Sequence, residues 1–223
     1  KHLLEYDDVM NKQRENVYTL RREILEGKIR LDEEELVGTR DYLMALAQEI
    51  LDSLVETYAA READFEQWDL DALRREVSRV FGVDATPLDF SDRTSDEIRD
   101  ALWEKVLGSY DEKEKLVGRD VLQRVERDIM LQIVDAQWKD HLYSLDHLKE
   151  GIGLRGYGQK DPLIEYKKES FQLFQAMKER VDEEIVRYLW WLRPMLSEEG
   201  QAQTPRPAAR RSPLILNDPS AAA

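Results

Sequence analysis

The sequence predicts an all-α protein: a long helix packed against an antiparallel two-helix hairpin, with a small group of shorter helices inserted between them. Three observations carry this reading. Apolar residues recur at helical spacing near both ends of the chain, and cap residues and stop glycines bound the periodic stretches. The third is composition: 36% charged and 42% hydrophobic residues, with 10 Gly and 7 Pro in 223 positions, suit long solvated helices. No segment reads as a β-strand and no internal repeat is evident.

The first helix rests on Leu3, Met10, Val17 and Ile24, which repeat every seven residues, with Tyr6 and Leu20 three residues after members of that row. Gln13 interrupts the second row. Charged residues fill most other positions, so residues 1–26 form an amphipathic helix of about 39 Å with a coiled-coil-like seam. Gly27 is a natural stop. The opening Lys1-His2-Leu3-Leu4-Glu5-Tyr6 has no initiator Met and no N-cap, which reads as a piece cut from inside a helix of a longer protein.

Asp32 followed by Glu35 predicts the next helix start, with Leu43, Ala47, Ile50, Leu54 and Tyr58 along one face. Trp68 and Asp69 open a third helix, Asp69 as cap and Trp68 as a staple onto Leu73, and Gly82 ends it. Val83 to Arg93, containing Pro87, reads as a loop. Thr94 with Glu97 forms a capping box for a helix through Ile98, Leu102, Val106 and Tyr110. Glu56 to Asp100 carries 13 acidic against 6 basic residues, half of the chain's net charge of −14. That shift, with shorter capped helices, predicts a separate acidic subdomain.

Beyond Gly118, Leu131, Val134, Trp138, Leu142, Leu145 and Leu148 mark one face of a helix reaching Glu150. A glycine-rich stretch follows, Gly151 to Pro162. Asp161 caps the next helix and Pro162 suits its first position. Phe171, Phe174, Met177, Val181, Ile185, Tyr188 and Leu192 carry that helix to Arg193-Pro194. Two long helices joined by a short loop lie antiparallel, each arm about 45 Å long. Residues 195–223, with Pro205, Pro207, Pro213, Pro219 and three terminal Ala, are predicted to be a disordered linker.

Several kinds of chemistry are excluded. The acidic balance argues against nucleic acid as a partner, which needs a basic face. With no Cys there are no disulfides, thiolate metal sites or Cys nucleophiles. No apolar run approaches the ~20 residues of a membrane span. Gly151-x-Gly153-x-x-Gly156 matches the dinucleotide fingerprint, but a helix precedes it where a strand is needed, and the next helix starts only at Pro162. His141 and His147 are six residues apart, so about 120° separates them on a helix and they cannot share a metal. Beside Asp140 and Asp146 they are expected at exposed positions. No catalytic residue, cofactor or metal is assigned to this chain.

The hairpin end is the candidate site. Four of the 10 Gly fall within eight positions, and between them sit bulky and basic groups that a plain turn does not need. From Lys149 to Lys168 there are five basic and three acidic residues in an otherwise acidic chain. Ile152, Leu154, Arg155, Tyr157, Gln159 and Lys160 are the candidate partner- or substrate-binding residues. Two readings stay open: a loop folded back on its own helices, or a projecting finger that contacts a partner or substrate chain. Gly156 and Gly158 flank Tyr157, so its ring is expected to be exposed, able to grip varied peptide without reading sequence.

Three runs carry a family resemblance. Leu3-Leu4-Glu5-Tyr6-Asp7-Asp8-Val9-Met10-Asn11-Lys12-Gln13-Arg14 is the first, and Trp138-Lys139-Asp140-His141-Leu142 the second. The third extends from Leu154-Arg155-Gly156-Tyr157-Gly158-Gln159-Lys160-Asp161-Pro162 through Glu165-Tyr166-Lys167-Lys168-Glu169-Ser170-Phe171. Together they resemble the bacterial SecA family of preprotein translocase motors, from about Lys1 to Pro194 and least through the acidic middle.

The resemblance implies a first scaffold helix at 1–27, a helical wing domain at 28–118, and a scaffold and two-helix finger with its regulatory helix–loop–helix at 119–194. It implies that Tyr157 enters the mouth of the SecYEG channel and touches unfolded preprotein, while the hairpin restrains ATP hydrolysis by contacting SecA's own motor domains. It also implies a cytoplasmic protein peripheral to the inner membrane, with ATP and Mg bound by motor domains that are not in this chain. An anionic membrane surface and a homodimer of the intact protein are further partners it allows. The family's Cys-rich zinc terminus has no counterpart here. Two rivals remain: a purely structural helical-bundle module, and a regulator of an enzyme site carried elsewhere.

Overall fold

The computed structural model describes residues 2–31, 35–155 and 161–194. Among them are six α-helices, a single turn of 3-10 helix and one short ladder. In chain order these are α1 (His2–Glu26), β1 (Lys28–Arg30), β2 (Leu36–Gly38), α2 (Thr39–Tyr58), α3 (Leu70–Phe81), α4 (Ser95–Val117), α5 (Arg119–Arg155) and α6 (Pro162–Trp191). The all-α expectation holds apart from the ladder. There β1 and β2 pair antiparallel, with Ile29 opposite Val37, and Ile29 is fully buried. Two three-residue strands are too short for an alternating pattern to show in sequence. The ladder also moves the start of α2. Leu31 N–H donates to the Glu35 carbonyl at 2.9 Å, so Glu35 belongs to the hairpin and α2 opens after Gly38. Asp32 lies outside the described residues.

The other helix ends follow their caps. Asp69 accepts from Ala72 N–H at 2.8 Å at the start of α3. Gly82 ends α3 with φ +62°, a backbone angle that favours glycine, and a Cβ there would crowd the Trp191 ring at 3.2 Å. At α4 the capping box is complete: Glu97 N–H donates to Thr94 Oγ1 at 3.3 Å and Thr94 N–H to Glu97 Oε2 at 2.7 Å. Thr94→Ala is expected to cost about 1 kcal/mol, lowering Tm by roughly 2–4 °C for a chain of this size. A calorimetric scan in which the variant melts with the wild type would show that the box contributes nothing.

α5 and α6 form the antiparallel hairpin, and α1 lies along both arms. Asp7, Gln13 and Arg21 meet Lys149, His141 and Asp135 in turn, so α1 runs antiparallel to α5 and parallel to α6. Val17 and Ile24 are buried in this seam and Met10 is half-buried, as the seven-residue repeat requires; the Leu3 side chain lies outside the described residues.

Two expectations are corrected by packing. The acidic middle does not form a separate subdomain: residues 1–193 are one compact unit, and α3 packs directly on α6. Leu73, Val77, Phe81, Ile98, Leu102 and Tyr110 join Val181, Ile185 and Trp190 in a continuous core. The charge shift reports the outer faces of α3 and α4, not their inner ones. On α6, Phe171 and Tyr188 are exposed, while Tyr166, Ser170, Val186, Leu189 and Trp190 are buried. This helix serves α1 and α5 along its first half and also α2 and α3 along its second, so no single stripe describes it. Likewise α2 buries Tyr42, Leu46, Leu51 and Val55 beside Leu43 and Ala47, leaving Ile50, Leu54 and Tyr58 on its shoulders.

Candidate functional site

The hairpin end differs from the sequence reading in one respect. α5 does not stop at Glu150 but continues through Gly151 and Gly153 to Arg155. Helical glycines cost about 1 kcal/mol each, and burial of one large aliphatic side chain offsets about 1.5–3 kcal/mol. Ile152 supplies that burial, being only 2% exposed. Its assignment to a projecting contact surface is therefore corrected: in this chain Ile152 packs. Leu154 and Arg155 occupy the last turn of α5, with side chains outside the described residues, and Tyr157, Gln159 and Lys160 also lie outside them. On the return, the Asp161 carboxylate accepts from Leu163 N–H at 2.8 Å and Pro162 takes the first turn of α6, as expected.

α1 flanks the arms close to this end. The Tyr6 and Tyr166 rings meet edge to face at 4.7 Å, and Lys149 Nζ reaches Asp7 at 3.1 Å. Beyond Lys149, α5 continues for about 9 Å, and α6 begins roughly 6 Å before Tyr166. Along the described residues, then, the hairpin is a braced element with a short overhang.

A buried polar joint holds α1 in register on the arms. His141, expected at the surface, is 2% exposed and lies between the rings of Trp138 (5.5 Å) and Phe174 (5.6 Å). Gln13 Nε2 donates to the Ser170 carbonyl at 3.1 Å, which leaves Gln13 Oε1 to accept from His141 Nε2–H at 2.8 Å. That fixes the neutral Nε2–H tautomer, inferred from the network. Burial pulls the imidazole pKa down to about 4, and Arg180 adds to the effect. The signal was in the sequence: His141 is three residues after Trp138 and four before Leu145, on the apolar stripe, and Gln13 is the residue that breaks the seam of α1.

A second polar cluster anchors the hairpin at its other end. Lys113 Nζ, buried on α4, donates to the Leu189 carbonyl and, at 2.9 Å, to the Trp190 carbonyl. Arg193 Nη1 reaches the same Trp190 oxygen at 3.1 Å. Carbonyls at a helix C-terminus lack intrahelical partners and attract cations, and these two basic groups supply them. Burial, and to a lesser degree Arg193, lowers the Lys113 pKa to about 8. Alongside, Tyr110 O–H donates to Glu126, whose Oε1 also accepts from Arg119 Nη1 at 2.7 Å. Sequence reasoning missed this cluster, although Lys113 and Glu126 both sit at helical spacing from buried apolar residues. The groups are caps and braces. Among the described residues no set of three His, Asp or Glu side chains could hold a metal, and no helix is long and apolar enough to cross a membrane.

A long helix laid along a helical hairpin, with shorter helices closing the base, is thus the architecture to be matched. The family model described as the SecA Wing and Scaffold domain matches residues 1–193. The chain belongs to the SecA wing and scaffold family. Among curated relatives, the protein translocase subunit SecA of Solibacter usitatus is 44% identical over 192 residues, covering 86% of this chain and 19% of the relative. The corresponding subunit of Acidobacterium capsulatum is 46% identical over 203 residues, covering 90% and 20%. That of Koribacter versatilis is 47% identical over 192 residues, covering 85% and 18%. This SecA wing and scaffold chain therefore spans about a fifth of the length of the relatives it matches.

Proposed function

We propose that this chain is a non-catalytic mechanical part of a preprotein translocase motor. Residues 1–27 and 119–194 act as scaffold and two-helix finger, and 28–118 as the wing. The glycine-rich hairpin end, through Leu154, Arg155, Tyr157, Gln159 and Lys160, contacts the membrane channel and the moving polypeptide, and the hairpin restrains hydrolysis of ATP bound with Mg in the motor. The protein works from the cytoplasmic face of the inner membrane, where Arg155 and Lys160 also favour anionic lipid, a modest and salt-screened gain.

The observation that carries the reading is the two-helix hairpin itself: α5 and α6, 37 and 30 residues long, fastened at the base by Lys113 and Arg193 and pinned to α1 through His141. A hairpin fastened at its base and stiffened by α1 along its arms transmits displacement to its short free end. One observation favours the purely structural rival: α1 flanks the arms nearly to their end, and Ile152 is buried there.

The test is Tyr157→Ala in the full-length protein, with Tyr157→Phe beside it. Preprotein import into inverted membrane vesicles is expected to fall several-fold for Ala and little for Phe, with ATP binding retained. The stability change for Ala is expected to stay within about 0.5 kcal/mol. A large drop in Tm would make the residue a structural plug. Unchanged import with unchanged Tm would leave the hairpin end as a turn within a structural bundle.

A further inference from the structure

Away from the hairpin end, α1, α2 and α6, with Val134 of α5 and Arg30 and Leu31, line a groove of about 540 Å³. Its floor is apolar, built from Tyr42, Leu46, Phe174 and Met177, with Val17 and Val181 at the sides. Through Leu46, Glu49 and Asp182 it joins a second hollow of about 410 Å³, floored by Ile50, Leu54 and Val80. The two carboxylates stand at the neck between the hollows.

Charge in the groove is unbalanced. Glu23 is engaged by Arg30, whose backbone N–H donates to it at 3.0 Å, and Arg79 is held by Glu76 and Glu183. Among the described residues neither Glu49 nor Asp182 forms an ion pair. Lys178 is the cation whose field acts on Asp182, opposed by Glu49 and Glu179. Burial, with a smaller push from those two carboxylates against the pull of Lys178, raises the Asp182 pKa to about 7. With Glu23 and Arg30 paired, Glu49 and Asp182 face Lys178 alone above the apolar floor, which leaves one negative charge unbalanced when both acids are ionised.

We propose that this groove binds a small organic cation with an apolar body, an aryl- or alkyl-amine, with its ammonium between Asp182 and Glu49 and its body over Phe174 and Met177. The volume lies within the range of small-molecule sites, which pair an apolar lining with a few placed polar groups. A hard metal ion would want six or more oxygen ligands, and the floor offers carbon and sulfur instead. An ammonium brings one charge and three donors, enough for both carboxylates.

The test uses the 223-residue chain and 2-naphthylmethylamine as probe, with 2-naphthylmethanol as its uncharged counterpart, followed by calorimetry and amide NMR shifts. Saturable binding of the amine is expected, with shifts at Tyr42, Glu49 and Asp182, and the alcohol at least about tenfold weaker, as for a lost charge-assisted bond. Asp182→Asn is expected to lower amine affinity by about tenfold or more with Tm unchanged or raised, so misfolding does not imitate the loss. Affinity should also rise from pH 6 to pH 8 as Asp182 ionises. Glu23, Arg30, Tyr42, Glu49, Lys178 and Glu179 face the same space, with Arg79 and Glu183 across the neck, and Glu49→Gln measures their share. Equal binding of amine and alcohol, or an Asp182→Asn variant that binds as the wild type does, overturns the proposal. So does absence of amine binding where a basic amphipathic peptide binds, which would make the occupant polypeptide.

Discussion

Trp190→Ala is expected to lower stability by about 3–5 kcal/mol, the range for truncating a large buried aromatic, with Tm falling by roughly 6–20 °C. Trp190 is the largest fully buried side chain among the described residues. Its ring meets Phe81 of α3 edge to face at 5.8 Å and Tyr110 of α4 at 4.7 Å, and Nε1 donates to the Val106 carbonyl at 3.1 Å. One side chain therefore fastens the hairpin to the helices of the acidic middle. The neighbouring Trp191 is a control: it is 49% exposed, with Nε1 bonded to the Arg79 carbonyl at 2.9 Å, and its truncation should cost about 1 kcal/mol. Urea unfolding followed by fluorescence and circular dichroism distinguishes the cases. If Trp190→Ala frays only the end of α6 while the rest melts at the wild-type midpoint, the continuous core described above is wrong.

Acidification is expected to loosen the joint between α1 and the hairpin. The folded-state pKa of His141, about 4, lies below its ordinary value of 6.5 because the buried imidazole is held neutral. The unfolded chain therefore takes up the proton first. The stabilisation is complete above pH 6.5 and is lost as pH falls toward 4, amounting to about 2 kcal/mol at pH 5. Asp182 acts in the opposite sense. Its folded pKa, about 7, lies above the ordinary 3.8, so its destabilising effect is full above pH 7 and is relieved on acidification. The whole-protein pH profile thus mixes two opposed slopes. Comparison with His141→Gln isolates one of them, since a glutamine amide can still donate to Gln13 Oε1 and does not titrate. The wild type should lose about 2 kcal/mol relative to His141→Gln between pH 7.5 and pH 5 in urea titrations. Parallel profiles would show that His141 is not held neutral in the folded state.

Some features could be read directly. The heptad row through Met10, Val17 and Ile24, the Thr94–Glu97 box, the Asp69 cap and the Gly82 stop each depend on neighbours within one or two turns. A one-dimensional pattern therefore carries them. The ladder around Ile29 and Val37 escaped because three residues cannot display a period. The hairpin was legible as two long stripes around a glycine-rich interval. The end of α5 was not, because glycine's local preference was outweighed by burial of Ile152, which only the folded chain provides.

Sequence alone determined the helical class, the order of the long helices and the capped starts of α3, α4 and α6, since these follow from residue spacing and local backbone chemistry; the family followed from the specific runs that resemble it. Only the tertiary structure decided which polar groups lie inside. His141, Gln13, Lys113 and Glu126 look like surface residues by type, and Glu56–Asp100 looks like a surface region by charge. Burial of a polar side chain depends on a partner to satisfy it, and here the partners lie up to 157 residues away. The same holds for the groove at Asp182, whose walls come from helices far apart in the chain that meet only when it is folded.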